Sequence, residues 1–348
     1  MVDKDTDFFK ITNNFAKTAA IPSIQIIKSN LDFKPKVTIA IPTYRRANLL
    51  KETIDSAINQ KEFEYYDIIV VDNDPERGCK SEQLILSYNE KRISYYKNSE
   101  NIGMAGNWNR LFELAVGDYV VMLHDDDLLL PSFLAEGMEI LDSNRTIDLL
   151  KPQFYQFTTD SKDINYDKIP KLDNKLSKID SVSFYQGCFI GAPTGIFFRK
   201  ESVFKIGGYN EEFFPSLDYC FYALFSDNFN VFFYRKNLSL YRIGANESLN
   251  INTLKGFVIS DYFLIKQILK NYGVPKQITK NYLRIRTEDV VNTYKNNLNS
   301  EFTFDFDLIG IKPINNYLGK IYVYTLRLFF VILNFVKSQK VYIDVNSR

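Results

Sequence analysis

The stretch Tyr119-Val-Val-Met-Leu-His-Asp-Asp-Asp127 places a short apolar run directly before three consecutive carboxylates. Such a run, rich in valine and ending in polar residues, is typical of a buried strand. Three adjacent like charges repel one another unless a cation lies between them. Carboxylate oxygens suit Mg²⁺ and Mn²⁺, so the stretch predicts a strand leading into a divalent-metal site. The same carboxylates would also be favourable at a helix N-terminus, and both readings stay open on these residues alone.

Strands and helices alternate on both sides of this stretch. We expect strands at Val37–Pro42, Tyr66–Val71, Ile93–Lys97, Asp118–Leu123, Thr194–Arg199 and Val231–Leu240. We expect helices near 49–58, 81–91, 105–116, 131–142 and 217–225. This alternation predicts an α/β fold with a mainly parallel sheet covered on both faces. Ligands of such sheets bind beyond the carboxyl ends of the strands, where Thr43, Asp72 and Asp125–Asp127 fall.

The charge distribution suggests more than one part. The chain holds 43 Lys+Arg and 42 Asp+Glu, so no overall positive field is available to hold nucleic acid. Residues 251–348 carry 14 basic and 7 acidic residues, whereas the front of the chain is acidic. We therefore expect an N-terminal extension at 1–34, an α/β domain at 35–250 with halves at 35–145 and 146–250, and a helical region at 251–348. Within the second half, 158–180 reads as a surface loop.

Several classes of site are excluded. Cys79, Cys188 and Cys220 are odd in number and widely spaced, which argues against a disulfide framework and a zinc ribbon. One histidine, His124, rules out the H-E-x-x-H metalloproteases and disfavours a histidine-based triad. The chain has neither G-x-G-x-x-G nor G-x-x-x-x-G-K-[ST]. A diphosphate would need another source of positive charge, and a metal on the acidic triplet is the obvious one.

Two further carboxylates stand at places where a ligand could reach them. Asp72 and Asn73 end the second predicted strand and could hydrogen-bond a nucleobase or ribose, or simply form a turn. Asp218 stands where a turn enters a helix and could be a general base or an ordinary N-terminal helix carboxylate.

Four ordered motifs resemble those of the family 2 glycosyltransferases, which are inverting enzymes with a GT-A fold. They are Ile41-Pro-Thr-Tyr-Arg-Arg46, Val70-Val-Asp-Asn73, Asn101-Ile-Gly-Met-Ala-Gly-Asn-Trp-Asn109 and Gly117-Asp-Tyr-Val-Val-Met-Leu-His-Asp-Asp-Asp127. A weaker similarity continues through Gly191-Ala-Pro-Thr-Gly195, Gly207-Gly-Tyr-Asn-Glu-Glu212 and Ser216-Leu-Asp-Tyr219.

The resemblance implies roles for individual residues. Asp126 and Asp127 would bind the metal, Asp125 would face the ribose or donor sugar, and Asp218 would be the catalytic base. The donor site would be lined by Pro42, Thr43, Tyr44, Arg46, Asp72, Asn73, Gly103, Asn107, Asn109, His124, Asp125 and Arg242, with Asp72 and Asn73 on the base. His124 replaces the first aspartate of the commoner D-x-D-D spelling and could contact a ribose or the metal. Leu217 stands where an acidic residue often precedes the base, and the histidine often found after Arg242 is absent.

The implied activity is transfer of a sugar, with inversion, from a nucleotide-diphosphate donor. A UDP-sugar is the expected donor, Mn²⁺ or Mg²⁺ the cofactor, and a glycan or polyprenyl-linked hydroxyl the acceptor. The alternatives are a catalytically inactive GT-A-like binding module and a nucleotidyltransferase. A nucleotidyltransferase would need a glycine-rich basic loop after the first strand, and Arg45-Arg46 without glycine is a poor substitute.

The end of the chain offers a possible membrane contact. Around 312–340, aromatic and aliphatic residues mix with flanking cations, a profile typical of a helix on an anionic membrane surface or of a buried helix packed on the catalytic domain. The acidic start of the chain does not resemble a signal peptide. We therefore expect a cytoplasmic protein, with possible peripheral binding to the cytoplasmic face of the membrane.

Overall fold

The computed structural model describes residues 2–158, 163–244, 250–297, 302–312 and 343–344. Within them, the strands are β1 (Ser23–Ile27), β2 (Val37–Thr43), β3 (Tyr66–Asp72), β4 (Ile93–Asn98), β5 (Tyr119–Met122), β6 (Leu128–Leu129), β7 (Leu149–Phe157), β8 (Lys175–Ile179), β9 (Ile196–Arg199), β10 (Val231–Arg242) and β11 (Ile343–Asp344). The α-helices are α1 (Ala47–Ile58), α2 (Lys80–Leu86), α3 (Gly103–Leu114), α4 (Phe133–Ser143), α5 (Lys200–Lys205), α6 (Leu217–Asn228), α7 (Ile251–Asn271) and α8 (Lys276–Asn297).

One mixed sheet carries these strands in the order β1-β4-β3-β2-β5-β9-β7-β10-β8-β11, with β6 paired to β10. Strands β4, β3, β2 and β5 run parallel to one another. All residues of β2 and β3 are buried because helices cover both faces. Ile39 and Ile41 of β2 belong to a core cluster with Leu50 of α1, whereas Ala40 belongs to the cluster that contains Leu111 of α3. The predicted α/β fold, with parallel strands in the first half of the domain, is confirmed.

The other half of the sheet is largely antiparallel. β9 joins β5 to β7 by antiparallel pairing, and β10 then runs parallel to β7. β7 was not predicted, since polar residues interrupt its apolar pattern. The predicted surface loop at 158–180 is wrong for residues 175–179, which form β8 against β10, with Ile179 opposite Val231. Only Leu176 of β8 is buried, so this edge strand shows little of the apolar pattern that reveals a strand.

The N-terminal segment packs on the α/β domain. β1 pairs antiparallel with β4, with Ser23 opposite Asn98. Phe8 stacks on Phe213 with ring centroids 5.3 Å apart, which ties the segment to the loop before α6. The helices expected near 81–91 and 131–142 are found, but they span Lys80–Leu86 and Phe133–Ser143.

Residues 251–297 are helical, as expected, and α7 packs against α8. Helix α8 holds the short 3₁₀ helix Ser181–Gln186: the Tyr282 hydroxyl donates to the Tyr185 carbonyl at 2.8 Å, and Arg286 Nη1 donates to the Gln186 carbonyl at 2.8 Å. Among the described residues, none of the helices combines the length and apolar character that crossing a bilayer would require. The proposed membrane contact at 312–340 lies, apart from Lys312, outside the described residues.

Candidate active site

The acidic triplet lies in the turn between β5 and β6, at the carboxyl edge of the parallel strands. The backbone N–H of Leu123 donates to the carbonyl of Ala40 at 3.0 Å, so the turn begins beside the end of β2. Thr43, the last residue of β2, donates its hydroxyl to Asp125 Oδ2 at 2.8 Å. Thr43 is also the register partner of Asp72 on β3. The structure therefore brings these predicted residues to one edge of the sheet.

Arg46 is the cation that faces the first two carboxylates of the triplet. Its Nη1 atom lies 3.3 Å from Asp125 Oδ1 and 3.0 Å from Asp126 Oδ2. Arg46 stands just before the first turn of α1, which places it over the end of β2. Even so, burial raises the pKa of Asp125 to about 6, against the lowering effect of Thr43 and Arg46. The side chain is thus short of compensating charge.

Asp127 is fully buried and joins three parts of the chain. Its Oδ1 accepts from the backbone N–H of Arg242 at 2.8 Å, and its Oδ2 accepts from the Thr194 hydroxyl. The carbonyl of Thr194 in turn accepts from the buried Lys151 ammonium at 2.6 Å. Burial and the charge of Asp126 raise the pKa of Asp127 to about 8.

Arg242 ends β10 and reaches back over the triplet. Its Nε donates to the Asp126 carbonyl at 2.9 Å, and its Nη2 pairs with Glu52 of α1. The guanidinium also lies 4.5 Å from the centroid of the Phe157 ring. Arg242 is therefore placed at the candidate metal site, although its predicted contact with phosphate stays a prediction.

His124 precedes the triplet and faces it. One ring nitrogen of His124 and one carboxylate oxygen from each of Asp126 and Asp127 lie within 4.8 Å of one another. Burial lowers the pKa of His124 to about 4, which keeps the imidazole neutral near pH 7. Its Nε2 atom is buried without a hydrogen-bond partner among the described residues. This donor set fits a divalent cation.

Asp72 has a different environment at the end of β3. Its Oδ2 accepts from Lys97 Nζ at 2.9 Å and from the Tyr95 hydroxyl at 2.7 Å, while its Oδ1 accepts from the backbone N–H of Asp74 at 2.9 Å. Lys97 also lies 3.7 Å from Glu82. Asp72 is fully buried, so its predicted contact with the base would have to share a carboxylate that already has partners.

The predicted asparagines form buried amide contacts around the start of α3. Asn73 Oδ1 accepts from Asn98 Nδ2 at 3.0 Å, and Asn98 Nδ2 also donates to Asn107 Oδ1 at 2.9 Å. Asn107 Nδ2 donates to the Val71 carbonyl at 3.2 Å, which ties α3 to β3. Gly103 begins α3 with φ of +75°, a conformation that favours glycine. These amides connect β3, β4 and α3 at this edge of the sheet, and their contacts with a nucleotide stay predictions.

Asn109 links α3 to a distant turn. Its side chain donates to the Tyr209 carbonyl at 2.9 Å and accepts from the Tyr209 N–H at 2.7 Å. A Cβ on Gly208 would lie 2.4 Å from Asn109 Oδ1, so only glycine fits there. Two other predicted residues differ in exposure: Pro42 is buried within β2, whereas the ring of Tyr44 is exposed beside the Arg45 guanidinium.

Asp218 occupies the first turn of α6 and is partly exposed. Its Oδ1 accepts from the backbone N–H of Tyr219 at 2.7 Å. Burial raises the pKa of Asp218 to about 6 despite this hydrogen bond. Burial and the Asp218 charge also raise the pKa of Tyr209, whose ring lies 5.0 Å from that of Trp108. The ring of Trp108 in turn lies 5.3 Å from that of His124, so Tyr209, Trp108 and His124 form a continuous row of rings.

Sequence reasoning missed three residues that position the site. Lys151, Lys97 and Glu52 each pair with a group far away along the chain, and no local pattern marks them. Thr194 lay within the quoted Gly191–Gly195 segment, but its hydroxyl contact with Asp127 had no sequence signal.

Comparison with known proteins identifies the family. Residues 38–207 match the model for glycosyl transferase family 2, a segment that contains the acidic triplet and ends before Asp218. An uncharacterized glycosyltransferase of Methanocaldococcus jannaschii is 28% identical over 242 residues, which cover 68% of this chain and 81% of that protein. The GalNAc(5)-diNAcBac-PP-undecaprenol beta-1,3-glucosyltransferase of Campylobacter jejuni is 28% identical over 240 residues, covering 68% of this chain and 75% of the relative.

Solved structures share the fold at low sequence identity. S. aureus TarS 1-349 in complex with UDP-GlcNAc matches with a TM-score of 0.54 and 15% identity, over 83% of this chain and 79% of that one. The mannosyltransferase PcManGT from Pyrobaculum calidifontis, in complex with GDP-Man and Mn²⁺, matches with a TM-score of 0.51 and 14% identity, over 93% and 86% of the two chains. Residues 38–207 therefore form a glycosyl transferase family 2 domain, and the chain shares its fold with these GT-A glycosyltransferases.

Proposed function

We propose that this glycosyltransferase moves a sugar from a nucleotide-diphosphate donor to a hydroxyl of a glycan or lipid-linked acceptor, with inversion at the anomeric carbon. The observation that carries the proposal is the acidic triplet, which lies at the carboxyl edge of the parallel strands with more carboxylate than its neighbouring cations balance. A cation on Asp126 and Asp127 would relieve this repulsion and leave its remaining charge for a diphosphate.

The chain's own residues would bind and orient the donor. Asp126 and Asp127 would hold Mn²⁺ or Mg²⁺, which supplies Lewis-acid stabilisation to the departing diphosphate when bound. Thr43 and Arg46 hold Asp125 toward the end of β2, where the ribose or the donor sugar is expected. Arg242 packs over the same turn and would add positive charge near the phosphates.

Asp218 would act as the general base. A pKa of about 6 leaves most of the carboxylate unprotonated at pH 7 while keeping it more basic than an exposed aspartate. In the proposed reaction, the acceptor oxygen attacks C1 from the face opposite the leaving diphosphate and its proton passes to Asp218. The bond from C1 to the phosphate oxygen breaks, and its electron pair leaves with the nucleotide diphosphate. A single displacement of this kind inverts the anomeric configuration.

The similar proteins guide the choice of donor and acceptor. TarS was solved with UDP-GlcNAc and PcManGT with GDP-Man and Mn²⁺, which supports a nucleotide-sugar donor. A UDP-sugar stays our first candidate. The name of the Campylobacter relative includes an undecaprenol diphosphate-linked glycan, which supports a lipid-linked acceptor. Peripheral contact with the membrane through 312–340 would suit such an acceptor.

A donor screen tests the proposal. The full chain is incubated with UDP- and GDP-sugars and Mn²⁺, with and without lipid-linked or soluble glycan acceptors, and release of nucleotide diphosphate is measured. We expect release with one donor, and NMR of the product should show the inverted anomeric configuration. Binding of donors without release would instead indicate an inactive binding module, and a retained configuration would contradict the single displacement.

A further inference from the structure

We propose that His124 is the third protein ligand of the divalent ion, and that this imidazole makes the site prefer Mn²⁺ to Mg²⁺. The inference rests on the proposed function, because that function places a metal at Asp126 and Asp127. It adds a ligand and a metal preference that two carboxylates alone would not imply.

The positions of the three side chains suit a single ion. Their candidate ligand atoms lie within 4.8 Å of one another. Three ligands that each lie about 2.1 Å from one ion can all be separated by at most about 3.6 Å. Atoms up to 4.8 Å apart would therefore need to approach one another by up to about 1.2 Å, a shift that side-chain rotation can supply.

The His124 ring packs against its neighbours, but its Nε2 atom has no hydrogen-bond partner among the described residues. Its ring centroid lies 5.3 Å from that of Trp108 with an interplanar angle of 30°, and its backbone N–H lies 3.4 Å from the Thr194 hydroxyl. Its Nε2 atom is buried, and no described residue hydrogen-bonds to it. Buried polar atoms are nearly always paired in folded proteins, so this one indicates a missing partner at the site.

The two carboxylates can accept an ion without losing their present contacts. Each oxygen of Asp127 accepts one hydrogen bond, from Arg242 N–H and from the Thr194 hydroxyl, and a carboxylate oxygen has a second lone pair. Asp126 Oδ2 accepts from Arg46, which leaves its other oxygen available for a metal. Such outer contacts orient metal ligands, and here they fix Asp127 from two sides.

Ligand chemistry leads to the metal preference. Mg²⁺ and Mn²⁺ both suit carboxylate oxygen, and imidazole is a common ligand of the later transition metals. Mg²⁺ binds through oxygen and keeps several of its waters, whereas Mn²⁺ is a softer, transition-metal ion that takes an imidazole nitrogen more readily. A site with one nitrogen and two carboxylates should therefore bind Mn²⁺ more tightly than an all-oxygen site does, relative to Mg²⁺.

Pulsed electron paramagnetic resonance of bound Mn²⁺ tests the ligand directly. His124 is the one histidine of the chain, so on protein made without a histidine tag an imidazole ¹⁴N modulation can come only from it. We expect this modulation in the full chain with Mn²⁺, alone or with UDP or GDP added. It should disappear in His124→Asn, which keeps a polar side chain without an imidazole. The spectrum of the unmodified protein is decisive even if the variant does not fold.

Metal affinities provide a second test that does not depend on activity. In His124→Asp, which restores an all-oxygen set, the ratio of the Mg²⁺ to the Mn²⁺ dissociation constant should fall about tenfold or more. An unchanged ratio, bound Mn²⁺ without imidazole ¹⁴N modulation, or no Mn²⁺ binding at all would overturn the inference. Sugar transfer by a protein that lacks the modulation would refute His124 as a ligand and leave the proposed function intact. If the protein shows the modulation but transfers no sugar, His124 is a ligand and the proposed function is wrong.

Discussion

Carboxylates lie at two places on the same edge of the sheet, and they differ in the charged and polar side chains that contact them. At the end of β3, Asp72 is balanced by Lys97, which is its register partner on β4 and lies 2.9 Å away. At the end of β5, Asp125 and Asp126 share one cation, Arg46. The neighbouring strands contribute hydroxyls: Thr43 donates to Asp125, and Thr194, just before β9, donates to Asp127. Burial raises the pKa of Asp125 to about 6 and, with the Asp126 charge, that of Asp127 to about 8.

This difference in counterions indicates which carboxylates could bind a metal ion. A carboxylate with a built-in ammonium partner contributes to folding, whereas a cluster short of positive charge has room for a metal. Position in the fold and residue type are the same in both groups. The side chain that the neighbouring strand contributes is what differs: an ammonium for Asp72, and hydroxyls for Asp125 and Asp127.

The largest expected effect comes from breaking the balanced group. Lys97→Met would leave Asp72 buried without its cation, and loss of one partner of a buried pair costs about 3–5 kcal/mol in the free energy of unfolding. Denaturant titration measures this loss. The matched control is Lys51→Met, which breaks an exposed pair with Asp55 and should cost less than about 1 kcal/mol. Equal losses in the two variants would show that Asp72 does not depend on Lys97.

The unbalanced group should respond to metal instead. Asp126→Ala should abolish Mn²⁺-dependent donor binding and slow transfer by about 10³-fold, since a Lewis acid supplies several kcal/mol to the transition state. Calorimetric titration of nucleotide with and without Mn²⁺ measures the binding. Lys97→Met, if it folds, should retain a Mn²⁺-dependent rise in thermal stability that Asp126→Ala lacks. Unchanged nucleotide affinity in Asp126→Ala would remove this residue from the metal site.

Asp218 stands apart from both groups, because no cation of the described residues pairs with it. Asp218→Asn should bind the donor normally and lose at least about 10²-fold in transfer, the lower end for a general base. Separate measurement of donor affinity and of turnover distinguishes the two effects. Turnover at the level of the unmodified protein would remove Asp218 from the mechanism.

The smallest predicted effect is the pH dependence. A general base works unprotonated, so kcat/KM should rise with pH through about 6, the pKa of Asp218, and level off above it. The residual activity of Asp218→Asn should lack this rise. Asp125 also has a pKa of about 6, so a rise that persists in Asp218→Asn would assign it to the metal side of the site.

Much of the fold could be predicted because its signals are local. β2 and β3 are continuous apolar runs, and buried strands of this kind are recognisable from a few residues. β7 was not predicted from the sequence because Lys151 and two glutamines interrupt its run of apolar residues. The buried Lys151 ammonium donates a hydrogen bond to the carbonyl of Thr194, which is 43 residues away along the chain. β8 has a single buried residue and gains its structure from pairing with β10.

The candidate site divides in the same way. The acidic triplet, Asp72 and Asp218 were marked by their places after a strand or at the start of a helix. Two of their partners were not, because Lys97 and Thr194 meet them through contacts between distant segments.

By itself, then, the order of residues determined an alternating α/β domain with carboxylates after its strands, since side-chain periodicity and turn chemistry act over a few neighbours. Only the tertiary structure decided that Asp72 has a counterion of its own whereas Asp125 and Asp126 share one. Electrostatic free energy depends on distance and burial, and both are set by strand register and packing across the whole chain.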